Sequence, residues 1–172
     1  MRRALLAAAV LLAGSCGGSP ASPSSPGPAS TPRAVTLESG PYTLAITLST
    51  TGKPTCQNGI CTSISLCIGS PSPATASFDV TLERSGDTAT VRVPGDASPL
   101  VLQLSVAPAS VTGTITGSAR DAHGVMVEAS GTVTGAAPTD PALALSGNVD
   151  GQMSVAGSSC SNNGHQWSLA AR

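Results

Sequence analysis

Hydrophobic residues recur at every second position through most of this 172-residue chain, and this alternation constrains the fold more than any other feature. A period of two is that of a β-strand with one buried face, whereas a surface helix repeats its apolar residues every 3.6 positions. Beyond the first 15 residues, Pro or Gly interrupts every window of about ten residues in which a helix could form. The pattern therefore predicts an all-β protein whose strands have one apolar and one polar face.

About ten such segments follow one another with short turns between them, and residues 35–39 are predicted as the first. Sequential hairpins favour an antiparallel meander that forms a small closed or nearly closed up-and-down barrel, and a two-sheet β-sandwich is the alternative. The residues assigned to the inward, apolar face are Tyr42, Leu44, Ile46, Leu48, Ile64, Leu66, Ile68, Phe78, Val80, Leu82, Val91, Val93, Leu100, Leu102, Leu104, Val106, Ile115, Val125, Val127, Val133, Leu143, Leu145, Val149, Trp167 and Leu169.

A short pattern of Gly, polar, β-branched, polar and Gly occurs at residues 113–117, 131–135 and 147–151. In each copy both glycines share the register of the central Ile or Val, so they are predicted to face inward. Glycine inside a strand marks a bend or a close approach by another group, and closure of a barrel requires coiled strands. We interpret these glycines as sites of curvature. The alternatives are that Gly is merely abundant in this chain, or that the glycines leave internal space for a ligand.

The N-terminus has the pattern of an export signal. Arg2 and Arg3 precede an apolar stretch at residues 4–13, which is shorter than the roughly 20 residues that a membrane-spanning helix needs. The run Leu12-Ala13-Gly14-Ser15-Cys16 that follows resembles the lipobox of bacterial lipoproteins. In that family a diacylglycerol is attached to the Cys thiol and the signal peptide is cut before it.

This resemblance covers only residues 1–16, and it implies a signal peptide of residues 1–15 and a lipid anchor at Cys16. The protein would then be exported and held on the cell membrane or outer membrane of a bacterium, with its domain facing the periplasm or the exterior. The family usually has Leu where this chain has Ala13. An ordinary secretory signal, which would leave Cys16 as a free thiol, is the alternative.

Residues 17–33 contain five Pro, five Ser and three Gly, and no apolar residue larger than Ala. A segment of this composition cannot bury enough surface to fold. At about 3.1 Å per residue, a Pro-rich chain of this length reaches roughly 50 Å. Residues 16–33 are therefore predicted as a lipidated Cys with a disordered tether, followed by one β-barrel domain over residues 34–172.

Four further cysteines, in a chain predicted to be exported, point to two disulfides. Cys56 and Cys61 bracket Asn58-Gly59, a strong tight-turn pair, so they are predicted to be joined. Cys61 and Cys67 would lie at opposite ends of one strand, which leaves Cys67 for Cys160. That second pairing assumes one uninterrupted strand over residues 142–156. If Asp150-Gly151 were a hairpin turn, Cys160 would lie at the other end of the barrel, near Cys56 and Cys61.

Residues 160–167 form a polar segment beside the predicted disulfide, and they lead into the only Trp of the chain. Asn162, Asn163, His165 and Trp167 are the candidate residues of a recognition loop, although Asn and Gly are also common turn residues. No catalytic motif, phosphate-binding loop or metal-ligand cluster occurs in the sequence. We therefore predict a non-enzyme without a cofactor or a bound metal.

Composition excludes some partners and leaves others open. Eight Lys and Arg against nine Asp and Glu give no basic field for nucleic acid, and three aromatic residues are too few for base-stacking platforms. The leading hypothesis is an envelope-associated interaction module that contacts an envelope protein through its loops and outer face and has a filled interior. The alternatives are a lipocalin-like barrel for a small apolar ligand and, third, an enzyme or enzyme inhibitor.

Overall fold

A computed structural model describes residues 37–68, 72–95, 98–136 and 144–172 of the chain. The predicted signal peptide, Cys16 and the tether lie outside the described residues. The described residues form strands and no helix, so none of them forms a helix that could cross a membrane. The all-β prediction is confirmed. The strands are β1 (Gly40–Leu48), β2 (Thr55–Gln57), β3 (Ile60–Thr62), β4 (Leu66–Ile68), β5 (Ala74–Ser85), β6 (Thr88–Val93), β7 (Leu100–Val106), β8 (Ser110–Arg120), β9 (Met126–Ala136), β10 (Leu145–Val155) and β11 (Ser158–Ala171).

Eight of these strands form a closed antiparallel barrel. From β5 to β11 each strand pairs with the next in the chain, and β1 pairs with both β5 and β11. Leu44 of β1 lies opposite Phe78 on one side and Leu169 on the other, which closes the ring. The predicted up-and-down barrel is confirmed, and the two-sheet sandwich is not formed.

Aliphatic side chains fill the barrel interior. The inward residues of successive strands, such as Leu44, Leu102, Ile115 and Val149, have no exposed surface. A side chain that lined a cavity large enough for water would keep accessible surface, so this complete burial means that the interior is packed. The predicted core is confirmed for most strands; residue 143 lies outside the described residues.

The inward glycines allow neighbouring strands to approach closely. A Cβ atom added at Gly147 of β10 would collide with the carbonyl oxygen of Thr134 in β9 and would lie 2.7 Å from the Cα of Gly135. A Cβ at Gly135 would lie 3.2 Å from the indole ring of Trp167, which occupies the room that these glycines leave. The glycines thus permit the close approach of neighbouring strands, and the space above Gly135 is filled by a side chain; their role in strand coiling stays a prediction.

The connection from β1 to β5 is a long excursion at one end of the barrel, and we call its residues 49–68 the insertion. It contains the two-stranded β2–β3 hairpin, whose Asn58-Gly59 turn has φ angles of 52° and 80°, and the short strand β4. β4 pairs with the first residues of β11, beyond the point where β1 ends. Both predicted disulfides are present: Cys56–Cys61 links the hairpin, and Cys67–Cys160 links β4 to β11.

Two local predictions about strand limits were wrong, and one alternative that the sequence left open is decided. Cys61 and Cys67 do not share one strand, because Ser63 to Ser65 separate β3 from β4. Leu37 to Ser39, the described part of the predicted first strand, precede β1 and form no strand. Asp150-Gly151 is not a hairpin turn, since β10 continues to Val155 and the chain reverses at Ala156-Gly157, with φ angles of 52° and 82°. β10 is therefore uninterrupted, as the predicted Cys67–Cys160 pairing requires.

Candidate functional site

The predicted recognition loop at residues 160–167 is part of strand β11 and is not a loop. Asn162, His165 and Trp167 are buried, and Asn163 is half-buried. The reason is a β-bulge: Val149 pairs with His165 and Gly151 with Asn162, so one residue of β10 lies opposite two residues of β11. The bulge turns both Asn162 and His165 inward. The three buried residues are therefore not accessible to a partner.

Asn162, Asn163 and His165 instead hold the insertion on the barrel. The backbone N–H of Ser49 donates to Nδ1 of His165 at 3.1 Å, and the Asn162 amide donates to the Ser49 carbonyl at 2.8 Å. The same amide donates to Ser65 Oγ at 2.9 Å, and the backbone N–H of Lys53 donates to Asn163 Oδ1 at 2.7 Å. A segment rich in polar residues thus supplies hydrogen-bonding partners to the backbone of the insertion.

His165 is neutral in this arrangement. Its Nδ1 accepts a hydrogen bond, so the proton lies on Nε2, which donates to the Cys160 carbonyl at 3.2 Å. Burial lowers the pKa of His165 below its ordinary value of 6.5, although the Cys160 carbonyl and the charge of Asp150 act in the opposite direction. Both ring nitrogens are occupied by backbone partners, so this imidazole is not free to act as a base.

Acidification is expected to destabilise the protein through His165. The unfolded chain takes up a proton near pH 6.5 while the folded state resists it, so the free energy of unfolding falls as the pH is lowered below about 6.5. Urea unfolding of the wild type and of His165→Asn at several pH values measures this. His165→Asn should flatten the dependence, and His123→Asn, in an exposed turn, should keep it. A wild type and a His165→Asn variant with equal pH dependence would contradict the assignment.

Trp167 is a core residue. It is 1% exposed, and its Nε1 donates to the Thr134 carbonyl at 3.3 Å across the neighbouring strand. Its ring covers Gly135, as described above. The side chain was a candidate for recognition because it is the only Trp in the chain, but its contacts are those of packing.

The insertion carries an aliphatic patch that is accessible to solvent. Ile60, Ile64, Leu66 and Ile68 are all the large apolar side chains that the described residues expose, and each is at least 70% exposed. The prediction that Ile64, Leu66 and Ile68 face the core was wrong. Sequence reasoning missed Ile60 entirely, because it lies in a three-residue strand with no alternating neighbours.

The Cys67–Cys160 disulfide determines which way β4 faces. Cys67 lies directly opposite Cys160, and Cys160 is buried on the inward side of β11. Because successive side chains of a strand point to opposite faces, Leu66 and Ile68 must point outward when Cys67 points inward. The aliphatic face of β4 is therefore fixed toward solvent by a covalent bond.

A groove of about 720 Å³ runs between the hairpin and the barrel wall. Ile60, Ile64 and Leu66 line its insertion side, and Asp150 and Asn163 lie on the barrel side. Its size is within the range of binding sites for small ligands or side chains of a partner. This groove and the aliphatic patch together are the candidate binding surface.

Charge is distributed unevenly around the barrel. Strands β1, β10 and β11 and the insertion carry only two charged residues within the described ranges, Lys53 and Asp150. The other described charges lie on β5, β6, β8 and β9, in the turns that adjoin these strands, or at Glu38 and Arg172, which flank β1 and β11. Arg172 forms an ion pair with Asp79 of β5 at 3.0 Å. We call the outer faces of β1, β10 and β11 the uncharged side. The insertion lies on this side.

No protein-family model, curated protein or solved structure matches the chain. The candidate site is therefore defined by geometry alone. Within the described ranges no group of three or more His, Cys, Asp or Glu side chains is placed to hold a metal ion. The absence of catalysis stays a prediction.

Proposed function

We propose that the protein is an exported lipoprotein, anchored through Cys16, and that its barrel is a non-catalytic scaffold for an envelope-associated interaction module. In this proposal the insertion makes the contact. One observation carries it: both disulfides, together with the hydrogen bonds that Asn162 and His165 make to the insertion, order a segment that buries almost none of its own side chains.

Disulfides and hydrogen bonds hold the insertion in a fixed conformation. Ordering a backbone costs about 1–2 kcal/mol per residue, and the exposed β2–β3 hairpin gains little from burial in return. Disulfides and buried hydrogen bonds provide the order instead. A surface that is already ordered loses less entropy on binding, so a rigid, exposed aliphatic segment is suited to recognition. Two disulfides are also compatible with export to an oxidising compartment.

The alternatives have less support. A lipocalin-like barrel needs an interior cavity, and the described inward side chains leave none that would admit water. An enzyme needs a convergent polar site, and the buried polar cluster at Asn162 and His165 uses its hydrogen-bonding groups on the backbone of the insertion.

Photocrosslinking in the cells that export the protein tests the proposal. A photoreactive residue at position 62 of the insertion is expected to form covalent adducts with other envelope components, because Thr62 is exposed beside the aliphatic patch. Gln103, exposed on β7 at the opposite side of the barrel, is the matched control and should form few adducts. Equal adduct formation at the two positions would contradict the role of the insertion. Loss of membrane association in Cys16→Ala tests the anchor separately.

A further inference from the structure

We propose that the insertion's partner is the lipid bilayer itself, into whose headgroup and upper acyl region the aliphatic patch inserts, holding the uncharged side of the barrel against the membrane. The proposal rests on the lipid anchor of the proposed function. It goes further by assigning a partner to the patch and an orientation to the barrel.

The composition of the insertion fits a lipid surface. From residue 53 to residue 68 it carries four large aliphatic side chains and one charged side chain, Lys53, which is positive. Burying a charge near the bilayer costs free energy, whereas aliphatic burial and attraction of a cation to anionic lipid both favour binding. Thr62, Asn58 and Gln57 are exposed around the patch and can donate hydrogen bonds to phosphate and ester oxygens.

The uncharged side allows the barrel to lie close to the headgroups. Its outward residues are Ser, Thr, Asn, Gln and Ala, with Asp150 as the one charged group among the described residues of β1, β10 and β11. Contact on the β5–β9 side would instead require desolvation of several charged residues, including Asp79, Glu83 and Arg92. The side that carries the patch is therefore also the side that approaches a membrane at the lowest electrostatic cost.

The free energy available from the patch favours a tethered contact. Four side chains, each about three-quarters exposed, gain free energy when hydrocarbon covers them. A stable interface between two free proteins buries roughly 800 Å² on each partner, which is more than four aliphatic side chains expose. Association of two free molecules also costs translational and rotational entropy. A lipid anchor makes contact with the bilayer intramolecular and removes most of that cost.

Two other occupants fit less well. The predicted tether offers only Pro and Ala as apolar residues over residues 17–33, and the grooves that bind Pro-rich segments are lined by aromatic side chains, which this groove lacks. Protein interfaces depend mostly on Trp, Tyr and Arg, and the insertion contains none of these residues. Aliphatic side chains without such residues are better matched to hydrocarbon.

The predicted tether is long enough for this contact. Leu37 lies at the barrel end opposite the insertion, where its carbonyl accepts a hydrogen bond from Arg84 at 2.6 Å. A nine-residue strand such as β1 spans about 30 Å. Since the predicted tether reaches roughly 50 Å, an anchor on the Leu37 side does not prevent the patch from reaching the same membrane.

Fluorescence quenching by brominated lipids tests the proposal on the full lipidated chain. Ile64→Trp introduces an indole on the patch, and Gln103→Trp introduces one on the β7 side; both variants keep the buried Trp167 as a common background. The chains are reconstituted in vesicles of phosphatidylethanolamine and phosphatidylglycerol with bromine on the acyl chains. We expect strong quenching in Ile64→Trp and little in Gln103→Trp. Serine at positions 60, 66 and 68 of the Ile64→Trp chain should reduce its quenching to the control value.

The possible failures are distinguishable. An anchored Ile64→Trp chain that floats with the vesicles but is quenched no more than Gln103→Trp would overturn membrane insertion and leave the proposed function intact. In that case, covalent dimers formed by the chain that carries a photoreactive residue at position 62 would assign the patch to a second copy instead. A chain that does not float with the vesicles would overturn both the anchor and the insertion.

Discussion

Valine in place of Gly147 is expected to destabilise the barrel by at least about 3 kcal/mol, or to prevent its closure. The added Cβ would overlap the Thr134 carbonyl oxygen of the adjacent strand, and this backbone cannot move without breaking the β9–β10 pairing. The loss is large against a total stability of about 5–15 kcal/mol for a domain of this kind. Urea unfolding followed by Trp167 fluorescence measures it.

Gly40→Val is the matched control, because it makes the same substitution in a strand of the same barrel. A Cβ at Gly40 meets nothing within 4 Å, so this variant should be close to the wild type in stability. Similar midpoints for the two variants would show that the inward glycines are not required for strand coiling.

Alanine in place of Trp167 is expected to lower the free energy of unfolding by about 3–5 kcal/mol. The indole is 1% exposed, fills the space above Gly135, and makes a hydrogen bond to the Thr134 carbonyl, all of which alanine removes. Circular dichroism during thermal and urea unfolding measures the change without a Trp probe.

Gln166→Ala provides the comparison for Trp167→Ala. Gln166 is the preceding residue on β11 and points outward, so its replacement should alter stability little. If Trp167→Ala were as stable as Gln166→Ala, the indole would not be part of the core, and a role in recognition would again be open.

The sequence predicts the barrel because its alternation is long and regular. In β5 the residues Phe78, Val80 and Leu82 all face inward, and the same holds for Leu100, Leu102, Leu104 and Val106 in β7. Asn58 and Gly59 both accept positive φ angles and so specify the turn between β2 and β3. This turn in turn predicts the Cys56–Cys61 pairing. These features are local, so the sequence of one chain is sufficient to predict them.

The direction in which β4 faces cannot be read from the alternation. Ile64, Leu66 and Ile68 alternate with Ser63, Ser65 and Cys67, and a period of two does not say which set is buried. In most strands the apolar set faces inward, because burial of apolar surface is favourable. In β4 the disulfide to the inward Cys160 turns Cys67 inward instead, so the aliphatic set is exposed to solvent.

The bulge in β11 cannot be predicted from the sequence either. Asn162, Asn163 and Gly164 are typical of a turn, and their local preference indicates a loop. The polar backbone of residues 49–53 requires hydrogen-bonding partners at the barrel end, and these residues supply them from within a strand. Tertiary contacts between residues more than a hundred positions apart therefore override the local preference.

The central claim is that the insertion presents its aliphatic face to solvent while the barrel interior is filled. Hydroxyl-radical footprinting, read by mass spectrometry at individual side chains of the free protein, tests both parts at once. We expect Leu66 and Ile68 to be oxidised many times faster than Leu102 and Ile115, which have no exposed surface. Protection of Leu66 and Ile68 to the level of Leu102, or rapid oxidation of Leu102 and Ile115, would contradict the account.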